Sequence, residues 1–304
     1  MRYGLLVGSN KSIPEVTAEA RRAADAGIDI VAVSQIFGYD ALTLLAVMGQ
    51  TVPDVELLTA VVPTYPRHPL MLAAQALTVQ AALDEPRLTL GIGLSHQIVI
   101  EGVLGLSFDR PARHMRDYLK VLMPLLHGQG VAYEGETLKT ATGPLDIEAS
   151  PPPVLVAALA PAMLKLAGTL ADGTATWMTG PKTIAEHITP SITAAAESAG
   201  RPRPRISVGL PICVTEDPDA ARERANRAFA LYHQLPVYRA VLDREGAEGP
   251  GDVAIVGDAE TVVAQMQALE DIGATEVLAA PYGSAEERDR TFAVVTELAV
   301  KQRQ

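Results

Sequence analysis

Cysteine is almost absent from this chain. One residue, Cys213, stands among 304, so no intrachain disulfide forms and a reducing, cytoplasmic setting is expected. Aromatic residues are scarce at 4%, which leaves Ala, Val, Leu and Ile to build the core. Alanine-rich helices around Val/Ile strands suit that supply. Positive charge is short as well: 25 Lys and Arg face 36 Asp and Glu, a net charge of −11. Phosphate backbones are held by concentrated Lys and Arg, so nucleic acid is not an expected partner. Missing too is any run of about 18 apolar residues, the length that spans a bilayer, so no membrane association is expected. The first apolar stretch breaks at Gly8, too soon for a secretory leader. The densest Pro and Gly breaks, residues 151–153 and 246–251, are not long flexible linkers, and residues 1–304 are read as a single domain.

What is present is an alternation of short β-rich runs and helical patterns. Strands are expected at residues 3–7, 28–33, 55–62, 87–92, 153–158, 173–178, 205–214 and 276–280. Between and after them the pattern predicts helices from Pro14 to a stop at Gly27, then over 40–50, 68–83, 111–126, 161–170, 181–199, 218–243, 258–272 and 286–301. Residues 131–140, VAYEGETLKT, read as a small β insertion. Eight strands mostly separated by helices close naturally into a parallel (β/α)8 TIM barrel with small insertions. An open doubly wound sheet is the structural alternative.

In such a barrel the chemistry sits at the carboxyl ends of the strands. Here those ends read Gly8-Ser9-Asn10, Ser34-Gln35, Val61-Val62-Pro63-Thr64, Gly93-Leu94-Ser95-His96, Ala157-Ala158-Leu159, Trp177-Met178-Thr179-Gly180, Val214-Thr215 and Ala280-Pro281-Tyr282. They are small, neutral and hydroxyl-bearing, which suits a flat cofactor and a small-molecule substrate. Metal-dependent barrels need several carboxylates or imidazoles converging on the mouth, and no such set exists, so no metal ligand is assigned.

GLSHQ, from Gly93 to Gln97, begins like a nucleophile elbow but lacks the second glycine. Gly91 and Gly93 give G-x-G, but His96 stands where a dinucleotide fingerprint needs its third glycine. That pair marks either a tight strand-to-loop turn or close backbone approach to a ligand. His96 is the sharpest catalytic candidate, since an imidazole exchanges protons near neutral pH; the bland reading is a loop histidine bonded to backbone. His68, at a helix start, reads as a cap. Gln35 either hydrogen-bonds a heterocycle or faces solvent. Thr179-Gly180-Pro181-Lys182 leads into a helix whose first N–H groups and dipole suit an anion, with Pro181 removing one donor.

Taken in order, EARRAADAGIDIVAVS, PTYPRHPLMLAAQALT, RLTLGIGLSH, RHMRDYLKVLMPLLHGQGVAYEGETL, VLVAALAPAMLKLAGTLADGTATWMTGP and PICVTEDPDAARERA span nearly the whole chain. The set resembles the bacterial luciferase-like oxidoreductases, specifically the branch that uses the deazaflavin coenzyme F420. The resemblance implies a TIM barrel with the ring in its mouth and a homodimeric assembly. It implies a bulge ending the third strand, with a non-prolyl cis peptide placed at Thr59-Ala60, so that Thr59, Ala60 and Val61 back the ring. It implies backbone contacts at Ala157 and Ala158, and the cofactor phosphate near Met178, Thr179, Gly180 and Lys182.

Sugar-phosphate-oxidising relatives carry Asp-His at the end of strand two, where this chain has Gln35-Ile36. Their acidic group after strand four aligns with His96. The implied activity is hydride transfer between the deazaflavin and a small organic substrate, with His96 as proton shuttle and Gln35 and Ser95 orienting substrate or ring. An FMN-dependent monooxygenase on the same scaffold is the alternative, and a non-catalytic flavin-binding barrel a third.

Overall fold

The computed structural model describes residues 1–8 and 11–303. Eight parallel strands form the barrel: β1 (Arg2–Val7), β2 (Ile30–Val33), β3 (Glu56–Thr59), β4 (Leu88–Gly93), β5 (Val154–Ala157), β6 (Gly173–Trp177), β7 (Arg205–Val214) and β8 (Glu276–Pro281). Each pairs with the next, and β8 pairs with β1 through Arg2↔Glu276. The ring is closed, so this is a (β/α)8 barrel and not an open sheet. Among the described residues no helix is long and apolar enough to cross a membrane.

Several boundaries move for identifiable reasons. The first helix is Ile13–Asp25, and Gly27 takes a left-handed φ of 85°. The Ile28 N–H then turns back to the Ala23 carbonyl at 3.0 Å. That is a Schellman closure, so residue 28 ends a helix and β2 starts only at Ile30. The expected helix over 218–243 is three pieces, Pro218–Ala228, Ala230–Gln234 and Pro236–Glu245, because proline at 236 cannot continue the preceding helix. Residues 255–257 form a short strand not foreseen from sequence, Ile255–Gly257, paired with Ile212–Val214. Toward β6, however, β7 pairs only as far as Gly209↔Trp177. Strand β7 therefore runs past the mouth on that side, and Val214-Thr215 is not a mouth-level pair there. The β insertion is real: Val131–Glu134 pairs with Lys139–Thr142. Fully buried Asp117 pins it by accepting from the Tyr133 hydroxyl at 2.8 Å and the Thr137 N–H at 2.8 Å.

The barrel interior is stratified. At the amino ends of the strands, Arg205 donates to Glu56 at 2.7 Å, to Glu276 at 2.8 Å and to the Thr89 hydroxyl at 3.0 Å, while Arg2 reaches the same two carboxylates. Above this ionic plug lies an apolar cluster of Ile30, Ala32, Leu58, Leu155, Ala175 and Leu278, against which Leu6, Ala60 and Val61 pack from above. The larger core lies between the strands and the surrounding helices.

Candidate active site

Strand β3 reaches the mouth through a bulge. It pairs Leu57↔Leu88 and Leu58↔Thr89, and pairing resumes at Val62↔Ile92 and Pro63↔Gly93. Four steps on one strand thus face three on the other, and the extra residue is accommodated as a β-bulge. The Thr59 hydroxyl bridges the gap, accepting from the Gly91 N–H at 2.8 Å and donating to the Gly91 carbonyl at 2.8 Å. A Cβ on Gly91 would lie 1.9 Å from the Thr59 carbonyl oxygen, and one on Gly93 would lie 2.7 Å from Val61 Cγ2. The G-x-G pair lies within β4 and makes room for the neighbouring strand's bulge. The cis peptide is Ala60-Val61, one residue later than the expected Thr59-Ala60. Thr59 itself is fully buried; its side chain holds the bulge, whereas Ala60 and Val61 remain half-exposed and form an apolar shelf.

His96 follows β4 and half-buries its ring. Its backbone starts the short helix Gln97–Gly102, but its side chain makes no cap bond. Its neighbours are Tyr238 and Tyr232, at centroid distances of 5.9 and 6.4 Å. Burial lowers the imidazole from its ordinary 6.5, which favours the neutral ring. Ser95, just before it, is left-handed with φ 61°, as is Met178 at the end of β6 with φ 51°. Sparsely populated backbone of this kind gathers at functional sites.

The wall beside His96 comes from the helical segment after β7. Trp177 meets Phe229 at 5.8 Å and Tyr232 at 6.2 Å, and Tyr232 meets Tyr238 at 4.9 Å. Burial raises both tyrosines above their ordinary 10.0, keeping them as neutral O–H groups. Trp177 stands among the strand ends read from the sequence, whereas Phe229, Tyr232 and Tyr238 do not. The available signal was local: Phe229, Tyr232 and Tyr238 crowd into ten residues of a chain with only 4% aromatics.

At the expected phosphate position a protein carboxylate is already in place. Glu245 accepts from the Thr183 N–H at 2.6 Å and the Lys182 N–H at 3.2 Å. The remaining expected residues divide. Gln35 Oε1 accepts from the Ala41 N–H at 3.1 Å, so its carboxamide is anchored on a helix start and not turned wholly to solvent or ligand. Ala157 is half-exposed beside Gly93, but Ala158, Met178 and Thr179 are buried. Met178 packs under the insert with Leu242 and Val253, and the Thr179 hydroxyl turns to the Trp177 carbonyl at 3.2 Å; only their backbones remain for a ligand. Gly180 and Lys182 flank the carboxylate, and Lys182 is exposed. His68 caps its helix as expected, accepting from the Leu70 N–H at 3.2 Å. Ser9 and Asn10 lie outside the described residues. Two open recesses of about 340 and about 460 Å³ lie elsewhere, beside Asn226 and His233 and beside Arg110 and Arg113.

A closed (β/α)8 barrel thus carries at its mouth an apolar shelf, an imidazole with no hydrogen bond among the described residues and an anion-capped helix start, an arrangement that suits a flat cofactor. More narrowly, the luciferase-like monooxygenase family model matches residues 2–276, and the chain belongs to that family. It is 27% identical over 254 residues to the 5,10-methylenetetrahydromethanopterin reductase of Archaeoglobus fulgidus, covering 81% of this chain and 74% of that one. Among solved structures it is similar to the coenzyme F420 dependent tetrahydromethanopterin reductase of Methanopyrus kandleri, with TM-score 0.83, 21% identity and coverage of 100% and 99%. It is also similar to the oxygenating constituent of 3,6-diketocamphane monooxygenase from Pseudomonas putida in complex with FMN, with TM-score 0.75, 16% identity and coverage of 98% and 96%. At such identities the structural likeness shows the fold.

Proposed function

We propose that this protein is a coenzyme F420-dependent oxidoreductase that transfers a hydride between the deazaflavin and a small organic substrate. The observation that carries the reading is His96: a half-buried imidazole with no hydrogen bond among the described residues, beside an apolar shelf at the barrel mouth. The residues fit a flat ring. Ala60, Val61 and Ala157 offer apolar area without competing polar groups, and the Lys182 and Thr183 N–H groups already donate to an anion. When bound, the deazaflavin supplies the hydride chemistry.

The chain's own residues supply position and protons. Ala60 and Val61 back the ring, the backbone at Ser95, Ala157 and Ala158 borders it, and the backbone of Met178, Thr179 and Gly180 with Lys182 leads to its phosphate. Either ring nitrogen of His96 takes the proton a substrate hydroxyl loses on oxidation, or returns it on reduction. Burial keeps that imidazole neutral near pH 7, so it is ready as an acceptor. Gln35, held through Oε1, has its Nε2 left to orient substrate. Tyr232, Tyr238 and Trp177 wall the same face before the cofactor binds.

FMN with oxygen activation is the second reading, favoured by the FMN-bound structural neighbour. Fluorescence titration of the purified protein separates the two: coenzyme F420 binds and FMN does not. Tight FMN binding without F420 binding overturns the first reading. With a turnover assay in hand, His96→Ala lowers the rate roughly 10²–10⁴-fold; a variant at full rate removes His96 from the proton path. We also read the chain as one domain acting as a homodimer in the reducing cytoplasm, on the strength of the family resemblance and the single buried cysteine. A single-chain mass in light scattering overturns the dimer.

A further inference from the structure

We propose that Glu245 is an internal anion that occupies the cofactor's phosphate position until the phosphate displaces it, so that cofactor loading releases the helical insert from the barrel mouth. This rests on the phosphate position assigned under the proposed function.

Glu245 is the last residue of Pro236–Glu245. A carboxylate there opposes the negative end of its own helix dipole, so its favourable contact lies elsewhere. That contact is the start of a helical run that begins at Pro181, passes through a π turn at Ile184–Ile188 and continues as Thr189–Ser198. Both carboxylate oxygens are used there, one on each of two consecutive N–H groups. A Cβ on Gly180 would lie 2.6 Å from Glu245 Cδ; glycine at this position is what admits the carboxylate.

Two further observations point to a ligand beyond Glu245. The Thr183 hydroxyl, in the same turn and fully buried, has no hydrogen-bond partner among the described residues. Lys182 makes no ion pair among them, so a cation stands beside the cradle without its carboxylate. A phosphate has more oxygens and more charge than a carboxylate, and can use the two N–H groups and the ammonium together.

The insert that ends in Glu245 also carries Tyr232 and Tyr238 against His96 and Trp177. Displacing Glu245 therefore loosens the aromatic wall of the proposed substrate face. Cofactor loading and substrate access become one equilibrium, with the latched form as the state that must be left before phosphate binds.

The test is Glu245→Gln in the full-length protein, titrated by fluorescence with coenzyme F420 and with its phosphate-free deazaflavin riboside. If the latch is closed in nine molecules of ten or more, opening it tightens F420 binding roughly ten-fold or more, while the phosphate-free ring binds both proteins alike. Hydrogen exchange on the wild-type protein needs no variant: residues 230–245 exchange faster when F420 is bound. Equal F420 affinity in both proteins with unchanged exchange overturns the latch and leaves the proposed function standing. Should F420 bind neither protein, FMN against riboflavin repeats the comparison, and the deazaflavin reading falls separately. With no flavin bound at all, inorganic phosphate decides: it raises the melting temperature of Glu245→Gln more than that of the wild type if the cradle is latched, and an equal shift in both, or none in either, overturns the latch.

Discussion

Replacing Thr59 by valine removes one hydroxyl and almost no volume. That hydroxyl is the partner of both backbone groups of Gly91, at 2.8 Å each. Gly91 is buried, and no water reaches the orphaned N–H and carbonyl without opening the bulge. Each unsatisfied buried group costs roughly 1–3 kcal/mol, so Thr59→Val should destabilise the protein by roughly 2–5 kcal/mol. Thr59→Ser keeps the hydroxyl and loses only a methyl, a cost of about 1 kcal/mol. Urea denaturation followed by far-UV circular dichroism reads the difference as a midpoint shift, on the order of 1 M for valine. The flavin titration supplies an independent readout, since a collapsed bulge moves Ala60 and Val61 and weakens ring binding in valine but not in serine. A valine variant whose midpoint matches that of serine refutes the claim that this hydroxyl holds the bulge.

Two other expectations concern groups given no role in the proposed site. Burial pushes His114 down to about 4, where its Nε2 lies 3.0 Å from the Thr64 hydroxyl and its ring stacks on Tyr65 at 4.0 Å. Its folded value lies below the unfolded one of about 6.5, so the unfolded chain binds the extra proton between those values and stability falls as pH drops from 6.5 toward 4. Allowing for partial solvent screening, this amounts to roughly 2–3 kcal/mol; His114→Gln should flatten that part of the stability-pH curve, and an unchanged slope assigns it to other groups. At the barrel floor, Arg205→Met leaves the fully buried Glu276 and Glu56 sharing only Arg2. The loss should be roughly 3–5 kcal/mol in denaturant titration, partly recovered by adding Glu276→Gln; a variant within 1 kcal/mol of wild type (about the error of the comparison) shows the plug to be dispensable.

The parts of this molecule legible in the sequence are those set by local chemistry. Pro111, Pro161 and Pro218 each open the helix expected of them, since proline at a first helical position costs no hydrogen bond. Strand β7 follows its apolar run from Arg205 to Val214. What stayed hidden depends on pairing between distant segments. Residues 55–62 read as one strand because nothing within them announces an extra residue; the bulge exists only relative to β4. Likewise Gly91 and Gly93 looked like a turn or a ligand approach, whereas their missing side chains answer to Thr59 and Val61, some thirty residues earlier. Glu245 was invisible for the same reason: its own helix argues against a carboxylate there, and its partners lie 62 and 63 residues away.

Charge is distributed along the barrel axis in a way that bears on function. The four charged side chains of the interior plug sit at the amino ends of the strands and pair with one another. Above lies an apolar cluster, and the shelf of Ala60 and Val61 rests on it. An imidazole at the opposite end therefore feels burial without a compensating carboxylate, and burial is the sole cause of its lowered affinity for protons. A carboxylate at the end of β2 would add negative charge at the mouth. Gln35 stands there instead, neutral and tied to the Ala41 N–H. Burial thus favours a neutral imidazole at the mouth, with no charge brought to it from the end of β2.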